Sequence, residues 1–155
     1  MTVRRTDERG QGGLEILPFG FLVLVAGTLL VVNVWAVIDA KLATESASRE
    51  AARAFVESVD PTSAHDAGVA AAREAIVGHH RDADAARYDG PGAGSFVRCA
   101  RVTWSVEYDV PSLTLPFIGG FGPRLITARS SHSEIVDPYR SGLPVDAERG
   151  VTCAA

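Results

Sequence analysis

Residues 16–38 read ILPFGFLVLVAGTLLVVNVWAVI, a run of polar-free or weakly polar positions without one ionisable side chain. A helix rises about 1.5 Å per residue and needs roughly 20 apolar residues to cross about 30 Å of hydrocarbon, so the run is long enough to span a bilayer. A cleaved secretory signal is the rival reading. Its apolar core usually covers about 7–15 residues and ends at a small-residue cleavage site, whereas here the run passes straight into a charged, helix-compatible stretch. Arg4, Arg5 and Arg9 precede it and Lys41 is the only base close behind it. The positive-inside rule therefore places the N-terminus in the cytoplasm and the chain from about Asp39 onward outside it. Trp35 fits an aromatic anchor at the outer interface.

The pattern then changes period without a break. Between residues 40 and 58 there is no Gly or Pro, and Ala40, Ala43, Ala47, Ala51, Ala54 and Phe55 recur at three-and-four spacing, a small-residue stripe along one helix face. The stripe has two readings, packing within the chain or close approach of a neighbouring subunit. Glu45 with Arg49, and Glu50 with Arg53, are spaced for ion pairs on that helix. Asp60-Pro61 ends it, and Asp60-Pro61-Thr62-Ser63 offers a cap for a second helix at about residues 64–79, with Val69, Ala72 and Ile76 as its apolar face. Residues 81–95 read as a polar loop closing in Asp89-Gly90-Pro91-Gly92. Ala100, Val102, Trp104, Val106, Tyr108 and Val110 alternate with Arg101, Thr103, Ser105, Glu107 and Asp109, the signature of a half-buried antiparallel strand. A more polar strand follows at about residues 125–136. Between the two lies an apolar segment broken by Pro and Gly, residues 111–123, which serves either as a cover for the core or as an exposed patch for a partner or membrane surface.

These elements predict an α+β chain: a long N-terminal transmembrane helix continuing outside the membrane, a short second helix and a small antiparallel sheet. The expected organisation is a basic cytoplasmic leader at 1–10, the transmembrane and extended helix at 11–59, an extracytoplasmic α+β domain at 60–136 and an irregular tail at 137–155. With 155 residues, there is room for one modest domain beside the membrane segment.

Charge and chemistry narrow the function. A net charge of -4 and a pI near 5.5 leave no clustered basic surface for phosphate backbones, so no nucleic-acid partner is expected. No phosphate loop, paired-Cys motif or nucleophile elbow appears, and no nucleophile, base and oxyanion donors can be assembled; an enzyme, a small-molecule substrate and a cofactor are not expected. His79-His80 with Asp82 and Asp84 could suggest a metal, but adjacent histidines diverge on a helix, and no metal site is assigned. His65 and His132 read as surface residues. Cys99 and Cys153 fall in the oxidising exterior and are expected to pair with each other; closing a loop of about 55 residues would stabilise the domain by about 4 kcal/mol.

One carboxylate touches the apolar run: Arg9-Gly10-Gln11-Gly12-Gly13-Leu14-Glu15 leads directly into Ile16. Glu15 fits a headgroup-level carboxylate favoured by the positive end of the helix. The spacing also resembles the processing site of type IV pilins, in which a basic leader ends in Gly, an aspartyl prepilin peptidase cuts after it on the cytoplasmic face, and Glu stands fifth in the mature chain. Gly10 matches the leader glycine, and Glu15 is fifth from Gln11, which stands where Phe or Met is usual. Together with Pro18 in the run, the Ala47-to-Ala54 block, and the strand and Pro/Gly-rich segment at 102–123, the order of motifs is similar to that of the TadE-like family of minor, or pseudo-, pilins of Flp (tight adherence) pilus systems. That resemblance covers most of residues 9–136. It implies cleavage between Gly10 and Gln11, a subunit-docking role for Glu15, and the prepilin peptidase, other pilins and Tad assembly proteins as partners, at the cell membrane or in a pilus. The alternative is a membrane-anchored extracytoplasmic interaction module that no peptidase processes; a tethered hydrolase is the third reading and lacks a constellation.

Overall fold

A computed structural model describes residues 12–110, 126–141 and 143, with side chains from residue 16. The chain is α+β. Its elements are α1 (Gly12–Glu57), α2 (Pro61–Gly78) and three strands, β1 (Ala86–Asp89), β2 (Arg101–Val110) and β3 (Ile126–Ile135). This arrangement is consistent with a pilin-like fold. Two compact units divide it, residues 1–36 and residues 37–155.

In the first unit α1 is exposed and apolar. One helix among the described residues is long and apolar enough to cross a membrane, and none of its most apolar stretch is buried; this fits a single-pass membrane protein. Two polar side chains of the run, Thr28 and Asn33, donate back to the Leu24 and Leu29 carbonyls, each at 2.8 Å. Such i−4 bonds satisfy a polar group where no water is available.

In the second unit α1 turns its small residues inward. Ala40, Ala43, Ala47, Ala51, Ala52 and Phe55 are fully buried, and so are Thr44 and Ser48, whose hydroxyls donate to the Lys41 and Glu45 carbonyls. The buried face thus takes in Thr44, Ser48 and Ala52, which hydrophobicity alone does not mark, while Ala54 lies at its margin, half-buried. Of the two spaced ion pairs, Arg49 meets Glu45, but Arg53 reaches forward to Glu57 at 2.9 Å instead of back to Glu50.

Asp60 caps α2, accepting from the Thr62 and Ser63 amides at 2.9 and 3.0 Å. The Thr62 hydroxyl, then the Ser63 hydroxyl and amide, hold its carboxyl down at about 2. With the cap at Asp60, the helix begins at Pro61, three residues ahead of the expected start. At the other end the Arg81 amide bonds the Ile76 carbonyl and the His80 amide the Val77 carbonyl, at 3.2 and 2.8 Å. That is the Schellman pattern, with His80 in the left-handed region at φ 56.

The sheet is a meander in the order β1-β2-β3, antiparallel throughout, with Arg87 opposite Glu107 and Glu107 opposite Arg129. Residues 81–95 are not all loop, as the polar composition suggests. They hold β1 between two short 3-10 turns, because pairing with β2 supplies what local propensity does not. The apolar face of β2 is buried as its alternation predicts. The segment 111–123 lies outside the described residues.

Trp104 organises the core. Its indole is fully buried, meets Phe55 of α1 edge-on at 6.2 Å and stacks on His65 of α2 at 5.4 Å. The ring also lies so close to Gly68 and Gly90 that a Cβ on either would come within 2.3 and 2.5 Å of it. His65 is therefore a packing residue rather than a surface one; its Nδ1 donates to the Pro91 carbonyl at 3.0 Å. Gly78, at the end of the same helix, has open space where a Cβ would go.

The two glycines of α2 should accordingly respond in opposite directions to one substitution. Gly68→Ala overpacks the indole slot and should cost about 1–3 kcal/mol, whereas Gly78→Ala should be neutral or stabilise by up to about 1 kcal/mol through helix propensity. Thermal or denaturant unfolding of both variants beside wild type measures this; equal effects would contradict the slot.

Candidate functional site

Gly10 and Gln11 lie outside the described residues. Glu15 is the fourth residue of α1. The helix therefore begins ahead of the apolar run. Asp39 is the first ionisable residue after that run, and the described structure shows how the domain takes it up. Both Nε and Nη2 of Arg81 donate to its Oδ2, at 3.1 and 2.7 Å, and the same guanidinium lies 5.0 Å from the Tyr108 ring centre. The Arg81 side chain is only 13% exposed. One arginine therefore ties α1, the end of α2 and the sheet together.

The other end of α1 is closed by a residue 83 positions away, Arg140, which donates to the Glu57 carbonyl at 3.0 Å and also to those of Val56 and Ser58. A cation there satisfies orphan carbonyls and complements the negative end of the helix dipole. It lies 5.2 Å from the Phe96 ring, and Arg98 in turn donates to the Arg140 and Leu143 carbonyls at 2.7 and 3.0 Å. The start of the tail, read from sequence as irregular, is thus a fastening for the helix. Spacing gave no signal for either arginine, because both act across long sequence separations.

Cys99 is disulfide-bonded, while Cys153 lies outside the described residues. The Cys99 amide bonds the Val136 carbonyl at 2.9 Å and the Val136 amide the Ala100 carbonyl at 3.0 Å, with Cys99 at φ 63. Two residues thus oppose one, a G1-type bulge whose first position ordinarily takes Gly. The bulge aims the cysteine out of the β2–β3 ladder.

The outward face of the sheet is a charge ladder. Arg87 donates to Asp109 at 2.8 Å and to Glu107 at 3.2 Å, Arg129 pairs with Glu107 at 3.2 Å, and Thr127 donates to Asp109 at 2.7 Å. Arg87 and Thr127 pull the Asp109 carboxyl below its ordinary value. These groups neutralise one another in cross-strand pairs, as a solvated face does. Asp84 pairs with Arg73 and Asp82 caps a 3-10 turn, so neither is held beside His79 and His80; among the described residues no three metal-ligating side chains converge. His132, half-buried on β3, bonds Glu134 at 3.1 Å.

No family model matches the chain, and no curated protein or solved structure matches it either.

The left-handed backbone at Cys99 sets an order of stability between two variants that both lose the disulfide. Cys99→Gly should be more stable than Cys99→Ala by about 1 kcal/mol, since only Ala pays for that conformation. Chemical denaturation of the two proteins decides; Ala at or above Gly would contradict the bulge.

Proposed function

We propose that the protein is a TadE-like minor pilin or pilus-assembly protein of a Tad/Flp-type surface pilus or secretion system, without catalytic activity. The observation that carries this reading is α1 itself. A single helix, Gly12–Glu57, has an exposed apolar stretch free of ionisable groups and then a small-residue face buried in an α+β domain. Such a helix suits a subunit that is held in the membrane, presents its domain outside the cytoplasm and joins other subunits through the membrane-embedded part.

The junction supplies the chemistry of joining. Cleavage after Gly10 leaves an ammonium on Gln11, about one helical turn from Glu15. Each charge is costly at the edge of the hydrocarbon when alone, and a neighbour displaced along the helix axis brings the ammonium of one chain to the carboxylate of the other. The prepilin peptidase and other pilins or Tad assembly proteins are the partners this implies.

The second reading, an unprocessed membrane-anchored interaction module, draws support from one observation. The alanine face that could have packed a neighbouring subunit is consumed inside the chain's own domain, which leaves fewer close-packing surfaces for assembly.

Protein isolated from a host carrying the peptidase should begin at Gln11, and Glu15→Gln should leave membrane level and cleavage unchanged while reducing crosslinks to pilus subunits. N-terminal sequencing and crosslink yield measure the two. An intact Met1 or Thr2 contradicts processing, and unchanged crosslinking returns Glu15 to a headgroup-level carboxylate.

A further inference from the structure

Past β3 the chain crosses back to the helix. Residues 137–141 and Leu143 form no helix or strand, yet Leu143 is buried and Arg140 lies 5.2 Å from the Phe96 ring centre. Two arginines attach this strap to the domain. Arg140 donates to the Val56, Glu57 and Ser58 carbonyls at the end of α1, and Arg98 donates to the Arg140 carbonyl at 2.7 Å and the Leu143 carbonyl at 3.0 Å. These are charge-assisted bonds, but no ladder of backbone bonds backs them among the described residues, so the strap opens more readily than the core.

Both ends of the strap lead to one residue. At its start the Val136 carbonyl accepts from the Cys99 amide at 2.9 Å. Cys99 is disulfide-bonded, and the other of the chain's two cysteines is Cys153. The strap therefore belongs to a loop that leaves the sheet beside Cys99 and is closed on it, and Arg98, which clamps the strap, is the neighbouring residue. In the chain-entropy model, closing a loop of about 15 residues disfavours its open forms by on the order of 100-fold. Arg140 stands near the Val136 end, which the sheet restrains in either redox state, so about tenfold is expected there.

We propose that the Cys99–Cys153 disulfide is a latch that holds the Arg140 cap on the C-terminal end of α1, so that the cap locks when the domain reaches an oxidising compartment. Locking proceeds by exchange. One cysteine thiolate attacks the disulfide of an exterior thiol oxidant, the second cysteine displaces that oxidant from the mixed disulfide, and the oxidant leaves as a dithiol carrying both electrons and both protons. In the cytosol the pair stays reduced, and Arg140 exchanges between the α1 carbonyls and water. The proposal uses the exterior placement of the domain and is independent of processing at Gly10.

Trypsin reads the latch, because it cuts after Arg140 only when that side chain has left α1. The full-length chain in nanodiscs is digested in three forms, oxidised, reduced with a phosphine, and as Cys153→Ser, and the cuts are located by mass spectrometry. Cleavage after Arg140 should run about tenfold faster in the reduced protein and in Cys153→Ser than in the oxidised protein. Cleavage after Arg81, which is 13% exposed and bonded to Asp39, should stay slow in all three. Arg98→Gln should speed the cut at Arg140 in the oxidised chain with the disulfide still closed. Equal rates at Arg140 in the oxidised and reduced forms overturn the proposal. So does equal acceleration at Arg81, which would make the disulfide a staple of the whole domain. Thiols that label without reduction in protein taken from its own membrane overturn it by way of the exterior placement, a failure distinct from the other two.

Discussion

The indole of Trp104 touches every layer of the domain: Phe55 of α1, His65 and Gly68 of α2, and Gly90 beyond β1. Burying a ring of that size removes about 150–250 Å² from water, worth about 4–6 kcal/mol at 25 cal/mol per Å². Its Nε1 has no hydrogen-bond partner among the described residues, which costs about 1–3 kcal/mol. Burial outweighs the orphaned donor, and the glycine slot permits it, because any side chain at 68 or 90 would hold the ring away. The helix face follows from the same constraint. With an indole and two phenylalanine rings, Phe55 and Phe96, meeting in the centre, the rest of the α1 face has to be small, and the chain supplies Ala, Thr and Ser there.

Around that core the charged residues act as fasteners at the ends of elements. Arg81 with Asp39 holds α1 where it leaves the apolar run, and Arg140 holds it where it ends at Glu57. The charge ladder on the outer sheet face is paired internally. The exposed apolar stretch of α1 is left outside that internal pairing, and the proposed junction at Glu15 leads into it. That distribution suits a protein that works by position and contact, and it is why the proposed docking role falls on Glu15.

Local signals were legible in the sequence. The apolar run, the Asp60-Pro61 boundary and the alternation from Val102 to Val110 each depend on residues close together in the chain, and each stands at or within a few residues of where it was read. The elements that escaped depend on distance. β1 is four residues with no apolar periodicity, and its pairing with β2 makes it a strand. Arg140 reaches back 83 positions to the Glu57 carbonyl. The isolated Gly68 in a helical pattern was a visible signal of close packing, yet only the fold shows that Trp104 is what approaches it. Gly10 and Gln11, the expected processing pair, lie outside the described residues.

If the small-residue face of α1 is part of the Trp104 core rather than a surface for neighbours, the outer half of the helix and the central strand must open together. Hydrogen exchange on the full-length chain in nanodiscs measures this directly. Amides of residues 43–55 should show the same protection as those of residues 102–110, and Trp104→Ala, which removes about 3–5 kcal/mol of packing, should lower both together. Fast exchange across 43–55 while 102–110 stays protected would contradict a shared core and make the alanine face available for assembly.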